Sequence, residues 1–128
     1  MELAETLLGI AVLSFTIVVL LGATLAIQIL RRPTHAPSRA LAWLHGIAAL
    51  LSYGVLAVAL MGPRRGAETG TQYFGLAAAI LLLVAAIIGL LSLVLHYRRK
   101  RMPGVAIGIH ASVAVFGYVI LAVYLLAG

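Results

Sequence analysis

Residues 41–61 read LAWLHGIAALLSYGVLAVALM, and this apolar run decides the fold of the chain. It contains no Asp, Glu, Lys or Arg, and it has the ~20 residues that a helix needs to cross the hydrocarbon core of a bilayer. Its histidine, His45, is therefore predicted to lie inside the membrane. A polar ring in hydrocarbon is costly unless it has a partner, so His45 is a candidate functional residue.

The rest of the chain has the same apolar character. Its 128 residues are 64% hydrophobic and 9% charged, a composition that no soluble domain of this size tolerates on its surface. Four apolar runs predict membrane helices at about residues 6–30, 38–62, 71–96 and 103–127. Because the connections are short, we expect an all-α membrane protein, a transmembrane four-helix bundle with up-down-up-down topology in a single domain of residues 1–128.

The net charge of +6 is distributed in a way that predicts membrane topology rather than nucleic-acid binding. Seven of the nine basic residues follow helices 1 and 3, in the loops or at the start of the next helix: Arg31, Arg32, Arg39, Arg98, Arg99, Lys100 and Arg101. The positive-inside rule places both termini outside and these two loops in the cytoplasm, as expected for an integral protein of a bacterial cytoplasmic membrane. The same side chains also suit anionic lipid headgroups.

Cysteine is absent from the sequence, which excludes several classes of site. Without thiolates the chain forms no disulfides, no iron–sulfur clusters and no covalent c-type haem attachment. The predicted helices also contain no Asp or Glu except near the start of the first. This disfavours a proton or cation exchanger that works through carboxylates.

The second half of the chain repeats the first. Residues 106–126 read AIGIHASVAVFGYVILAVYLL, and an offset of 65 makes seven of the 21 positions identical to residues 41–61. His110 then aligns with His45. We interpret this as a tandem duplication of a two-helix hairpin. The predicted repeats span about residues 1–63 and 68–128.

His45 and His110 lie at matching depths, each seven residues into its predicted helix. Helices 2 and 4 are parallel in the predicted topology, so the two imidazoles can face each other and ligate one haem iron. Haem b needs only such axial ligands, because the porphyrin supplies the other nitrogens. Two other interpretations stay open, namely hydrogen bonds that join helices and a proton or metal transport path.

Gly22 and Gly89 are candidate positions at which the edge of a porphyrin could pass close to a helix. Each lies nine residues before the arginine that ends its helix, which is close to the depth of the histidines. Glycine lets a ring or another backbone approach closely, although small residues are also the ordinary means by which membrane helices pack. The two glycines align at an offset of 67, whereas Gly9 and Gly75 align at 66, so no gapless register of helices 1 and 3 satisfies both pairs.

Three further polar residues have candidate functions. Arg39, at the start of helix 2, is placed to pair with a haem propionate, because a guanidinium matches a carboxylate with two parallel hydrogen bonds. The alternative for Arg39 is a solvated charge that sets topology. His35 lies in a loop and His96 at the end of helix 3, and neither has another histidine at its own depth. We therefore expect His35 to be solvated and His96 to lie at the membrane interface, rather than both to ligate a second haem.

On these features the chain resembles the four-helix membrane b-type cytochromes, such as the cytochrome b561 group and the haem-bearing membrane anchors of succinate dehydrogenase. The resemblance implies haem b as the cofactor, with His45 and His110 as its iron ligands. It also implies one-electron transfer between a quinol in the bilayer and a partner redox protein. The chain would then be an electron carrier or an oxidoreductase subunit rather than a stand-alone enzyme.

Two functions of other classes compete with this interpretation. A chain with so little mass outside the membrane also suits a cofactor-free accessory subunit that packs on a larger membrane complex. A duplicated helical hairpin also suits a small transporter. A visible absorption spectrum distinguishes the cytochrome from both.

Overall fold

The computed structural model describes residues 2–31, 37–99 and 104–127, and every regular element in these ranges is a helix. The helices are α1 Glu2–Arg31, α2 Arg39–Ala59, α3 Phe74–Arg99 and α4 Gly104–Ala127. All four are long and apolar enough to cross a membrane. The predictions of an all-α chain and of four membrane-spanning helices are therefore confirmed at this level.

The helix ends differ by a few residues from the predicted ones. α2 begins beside Ser38, whose Oγ accepts a hydrogen bond from the Leu41 N–H at 3.3 Å and caps the helix. α2 ends at Ala59 rather than Gly62, because the N–H groups of Met61 and Gly62 donate to carbonyls three residues earlier instead of four. α3 begins at Phe74, three residues after the predicted start.

The chain divides into two compact units, Met1–Gly62 and Pro63–Gly128. Within each unit two helices pack against each other, α1 with α2 and α3 with α4. We call the described residues of Met1–Gly62 the first hairpin and those of Pro63–Gly128 the second hairpin. Each hairpin is described by itself below.

Contacts at both ends show that the first hairpin is antiparallel. The Gln28 side chain near the end of α1 accepts a hydrogen bond from the Ser38 N–H at the start of α2, at 3.2 Å. At the other end, a Cβ placed on Gly62 would lie 2.7 Å from the Ala4 Cβ. The first residues of α1 therefore lie beside the chain that leaves α2.

The second hairpin is also antiparallel, and its leading loop is tied to the end of α4. The Thr69 hydroxyl donates to the Ala127 carbonyl at 3.1 Å, and the Arg65 N–H donates to Tyr124 Oη at 3.5 Å. Gly66 and Gly70 in this loop have φ of +73°. Glycine adopts this left-handed conformation without the clash that a Cβ would make.

The buried faces of the two hairpins follow the same pattern. α1 buries Leu8, Ala11, Phe15 and Val18, and residues 67 positions later in α3 are buried too: Gly75, Ala78, Leu82 and Ala85. α2 buries Ser52, Leu56 and Ala59, and α4 buries the residues 65 positions later: Gly117, Leu121 and Tyr124. The buried face of α3 therefore matches that of α1 at an offset of 67 residues, and the buried face of α4 matches that of α2 at an offset of 65. At the offset of 67, Gly75 aligns with Leu8 and not with Gly9.

Candidate functional site

In the first hairpin, the His45 ring is hydrogen-bonded to the backbone of α1. Its Nδ1 lies 3.0 Å from the Val18 carbonyl oxygen. A carbonyl oxygen only accepts hydrogen bonds, so Nδ1 carries the proton and donates it. The contact thereby fixes both the tautomer and the direction of the ring, and it joins α2 to α1 halfway along the hairpin.

Gly22 makes room for this ring. A Cβ placed on Gly22 would lie 3.0 Å from His45 Cε1, 3.5 Å from Nδ1 and 3.8 Å from Nε2. The edge of the imidazole that carries both nitrogens therefore lies where a side chain at Gly22 would be. Gly22 follows Val18 by four residues, one helical turn, so the glycine and the hydrogen-bond acceptor lie on the same face of α1.

The second hairpin holds His110 by the same contacts. Nδ1 of His110 lies 2.8 Å from the Ala85 carbonyl oxygen, so it donates to α3 as His45 does to α1. A Cβ on Gly89 would lie 2.9 Å from His110 Cε1 and 3.1 Å from Nδ1. Gly89 follows Ala85 by four residues. We call this combination of histidine, carbonyl acceptor and glycine the histidine seat.

The hydrogen bond in each seat determines which ring nitrogen carries the lone pair. With Nδ1 protonated and hydrogen-bonded, a neutral imidazole carries its lone pair on Nε2. Metal-ligating histidines characteristically donate their other ring N–H to a carboxylate or a backbone carbonyl, which orients the ring and increases its basicity. The donor set of His45 and His110 therefore fits axial ligation of a haem. Within the described residues, no group of three or more His, Cys, Asp or Glu could hold a bare metal ion.

The seat also gives the two predicted glycines an observed role. The structure brings Gly22 together with His45, and Gly89 together with His110. The space left by each missing side chain is filled by an imidazole of the same hairpin. A direct porphyrin contact at either glycine stays a prediction.

The remaining candidates lie away from the two seats or outside the described parts of the chain. Arg39 is the first residue of α2 and is exposed, so its pairing with a propionate stays a prediction. His35 lies outside the described residues. His96 lies in α3, and its side chain is not among those described.

The sequence did not predict Val18 and Ala85, whose carbonyl oxygens accept the hydrogen bonds of the two histidines. Every residue has such a carbonyl, so side-chain identity gives no signal for it. The usable signal was the depth of the glycines. A glycine opposite an intramembrane histidine implies a close approach of the ring, and the carbonyl one turn before that glycine is then within its reach.

No family model, curated protein or solved structure matches the chain.

Proposed function

We propose that this chain is a membrane-embedded electron-transfer protein in which His45 and His110 are the axial ligands of one haem b. The observation that carries the proposal is the histidine seat, which occurs once in each hairpin. In both seats a backbone carbonyl holds the Nδ1 proton, the arrangement expected of an imidazole that ligates iron through Nε2.

The equal position of the two histidines along their own helices supports a shared iron. His45 follows the first residue of α2 by six positions, and His110 follows the first residue of α4 by six. We propose that the hairpins are tandem repeats in an up-down-up-down bundle with both termini outside, since each buried residue of α1 has a buried counterpart in α3 at an offset of 67, and each buried residue of α2 has one in α4 at an offset of 65. α2 and α4 would then be parallel, with the histidines on the cytoplasmic side where the basic loops lie.

The proposed chemistry is one-electron transfer. A haem held by both His45 and His110 would supply one-electron redox chemistry, and with two protein ligands it would suit outer-sphere electron transfer rather than binding of a substrate to the metal. The chain's residues would orient the two rings and exclude water from them. Arg39, exposed at the cytoplasmic start of α2, is suited to a propionate. A quinol in the bilayer and a partner redox protein are the proposed donor and acceptor.

The proposal is tested by the colour of the purified protein. Full-length chain expressed with ample haem and purified in detergent is expected to show a b-type reduced-minus-oxidised spectrum, with one haem per chain. His45→Ala and His110→Ala are each expected to abolish it, and added imidazole to restore part of it. His35→Ala and His96→Ala are the matched controls and should keep the spectrum. A colourless wild-type protein would exclude the haem proposal.

An accessory or structural function is the second candidate, and two observations favour it. The seat by itself joins two helices of a hairpin by a hydrogen bond, an interaction worth about 0.6 kcal/mol or more between membrane helices. Much of each helix also remains exposed for lipid or for other subunits. A colourless protein that copurifies with a membrane complex would establish this function, whereas solute flux in liposomes that survives loss of either histidine would indicate a small transporter.

A further inference from the structure

We infer that Gly22 and Gly89 are positioning residues that set the tautomer and orientation of His45 and His110. The structural part of this inference concerns the protein without any cofactor. Its redox consequence rests on the proposed function.

The inference follows from how closely each ring lies on its glycine. A Cβ would be 3.0 Å from His45 Cε1 at Gly22 and 2.9 Å from His110 Cε1 at Gly89. Both distances are shorter than ordinary carbon–carbon contacts of about 3.5–4.0 Å. An imidazole is rigid and cannot fold aside as the end of a flexible side chain can, so alanine at either position would displace the whole ring.

Displacement of the ring would weaken its hydrogen bond to the same helix. The acceptor carbonyls of Val18 and Ala85 lie one turn before Gly22 and Gly89. A ring pushed away from the glycine therefore also moves away from the carbonyl. The longer hydrogen bond holds the Nδ1 proton less firmly, so the other tautomer becomes more accessible.

The two seats are not equally tight. In the second hairpin the Nδ1···O distance is 2.8 Å and the Cβ position at Gly89 is 3.1 Å from Nδ1. The corresponding distances in the first hairpin are 3.0 Å to Val18 O and 3.5 Å from the Gly22 Cβ position. We therefore expect Gly89→Ala to perturb its histidine more than Gly22→Ala does.

The chain supplies matched control glycines. A Cβ on Gly9 in α1 or on Gly108 in α4 would meet nothing within 4 Å. Gly9→Ala and Gly108→Ala therefore make the same chemical change without touching an imidazole. Alanine also has the higher helix propensity, so it should not weaken these helices.

The first experiment uses the full-length protein without haem. Nitrogen NMR of labelled histidine is expected to show the Nδ1–H tautomer for His45 and His110, assigned by His45→Ala and His110→Ala. Gly22→Ala should change the His45 signal alone, Gly89→Ala the His110 signal alone, and the control variants neither. Nε2–H tautomers in the wild type, or unchanged signals in both glycine variants, would overturn the inference.

A double-mutant comparison keeps the test valid if a glycine variant folds poorly. If the ring causes the damage, Gly22→Ala should have no effect on folding in a His45→Ala background, and Gly89→Ala none in a His110→Ala background. Helical content and monodispersity in detergent measure this. Equal damage with and without the ring would contradict a positioning role.

The second experiment uses the haem-loaded protein. Removing the hydrogen-bond partner of a metal-ligating histidine typically weakens metal affinity about 10–100-fold. Because the glycine variants weaken that hydrogen bond, we expect weaker haem retention in Gly22→Ala and, more strongly, in Gly89→Ala. A less basic imidazole also stabilises ferric iron less, so the midpoint potential should rise. An unchanged potential and retention would overturn the redox part. If the NMR changes occur in a protein that binds no haem, the positioning role stands and the proposed function fails.

Discussion

The first and second hairpins hold a histidine by the same contacts, but the packing around the two seats is different. In the first hairpin α2 carries Ser52 two turns after His45, and its hydroxyl donates to the Ala48 carbonyl of its own helix at 2.8 Å. In the second hairpin the residue 65 positions later is Gly117, against which Leu81 and Leu82 pack. The seat thus needs only a histidine, a glycine and a carbonyl, and it tolerates different neighbours.

The ends of the hairpins differ as well. The second hairpin closes on Tyr124, which is buried and accepts a hydrogen bond from the loop that precedes α3. The first hairpin has the small residue Ala59 at the corresponding position. We expect the packing of the second hairpin to depend more on individual side chains, and the following substitutions test that difference.

The largest expected effect is that of Gly117→Leu. A Cβ on Gly117 would already lie 3.0 Å from Leu82 Cγ and 3.1 Å from Leu81 Cβ, so a leucine overpacks the second hairpin. Overpacking of this kind costs about 1–3 kcal/mol, and we expect a loss near the upper limit. Reversible SDS unfolding followed by circular dichroism measures it. Gly54→Leu in α2, where nothing lies within 4 Å, is the control, and equal losses in both variants would refute the packing argument.

A second, smaller effect is expected from truncating the fully buried leucine of each hairpin. Leu56 and Leu121 are both fully buried, at 0% exposure, and Leu→Ala leaves a cavity that costs about 2 kcal/mol or more in soluble proteins. In a membrane the transfer term is small and packing dominates, so we expect about 2 kcal/mol for each. The same unfolding assay applies. Clearly unequal losses would show that the two buried faces are not equivalent, and Leu50→Ala, at an exposed position, should have little effect.

The smallest expected effect is that of Tyr124→Phe. This change keeps the buried ring and removes only the oxygen that accepts the Arg65 N–H at 3.5 Å. A hydrogen bond contributes about 0.5–1.5 kcal/mol, and this long one should lie at the lower limit. Hydrogen exchange of the Arg65 amide should accelerate. Tyr73→Phe, at an exposed ring, is the control. No change in exchange at Arg65 would show that the tyrosine does not hold the loop.

The fold was largely predictable from the sequence because its signals are local. A helix in hydrocarbon satisfies its own backbone hydrogen bonds, so runs of apolar residues predict the spans without knowledge of the packing. The predicted start of the second helix at residue 38 lies one residue from the observed start of α2, again for a local reason, since the Ser38 hydroxyl caps an N–H group only three residues away. The ends at Ala59 and Phe74 were predicted less well, because loop hydrogen bonds determine them.

The candidate site was predictable only in part. Its histidines are visible because a ring in a membrane segment is unusual, and Gly22 and Gly89 are visible by their depth. The alignment of α1 with α3 was obscured because Gly9 and Gly75 suggested an offset of 66. Burial, rather than residue identity, shows the offset of 67.

By itself the sequence determined that this chain has four helices long and apolar enough to cross a membrane, with one histidine inside such a helix in each half. Composition and run length suffice for that, because the bilayer rather than the tertiary fold selects apolar residues. Only the tertiary structure decided that the Val18 and Ala85 carbonyls hold the two rings and that the glycines accommodate them. Backbone acceptors are identical in every residue, so which one a side chain reaches depends on how the helices pack.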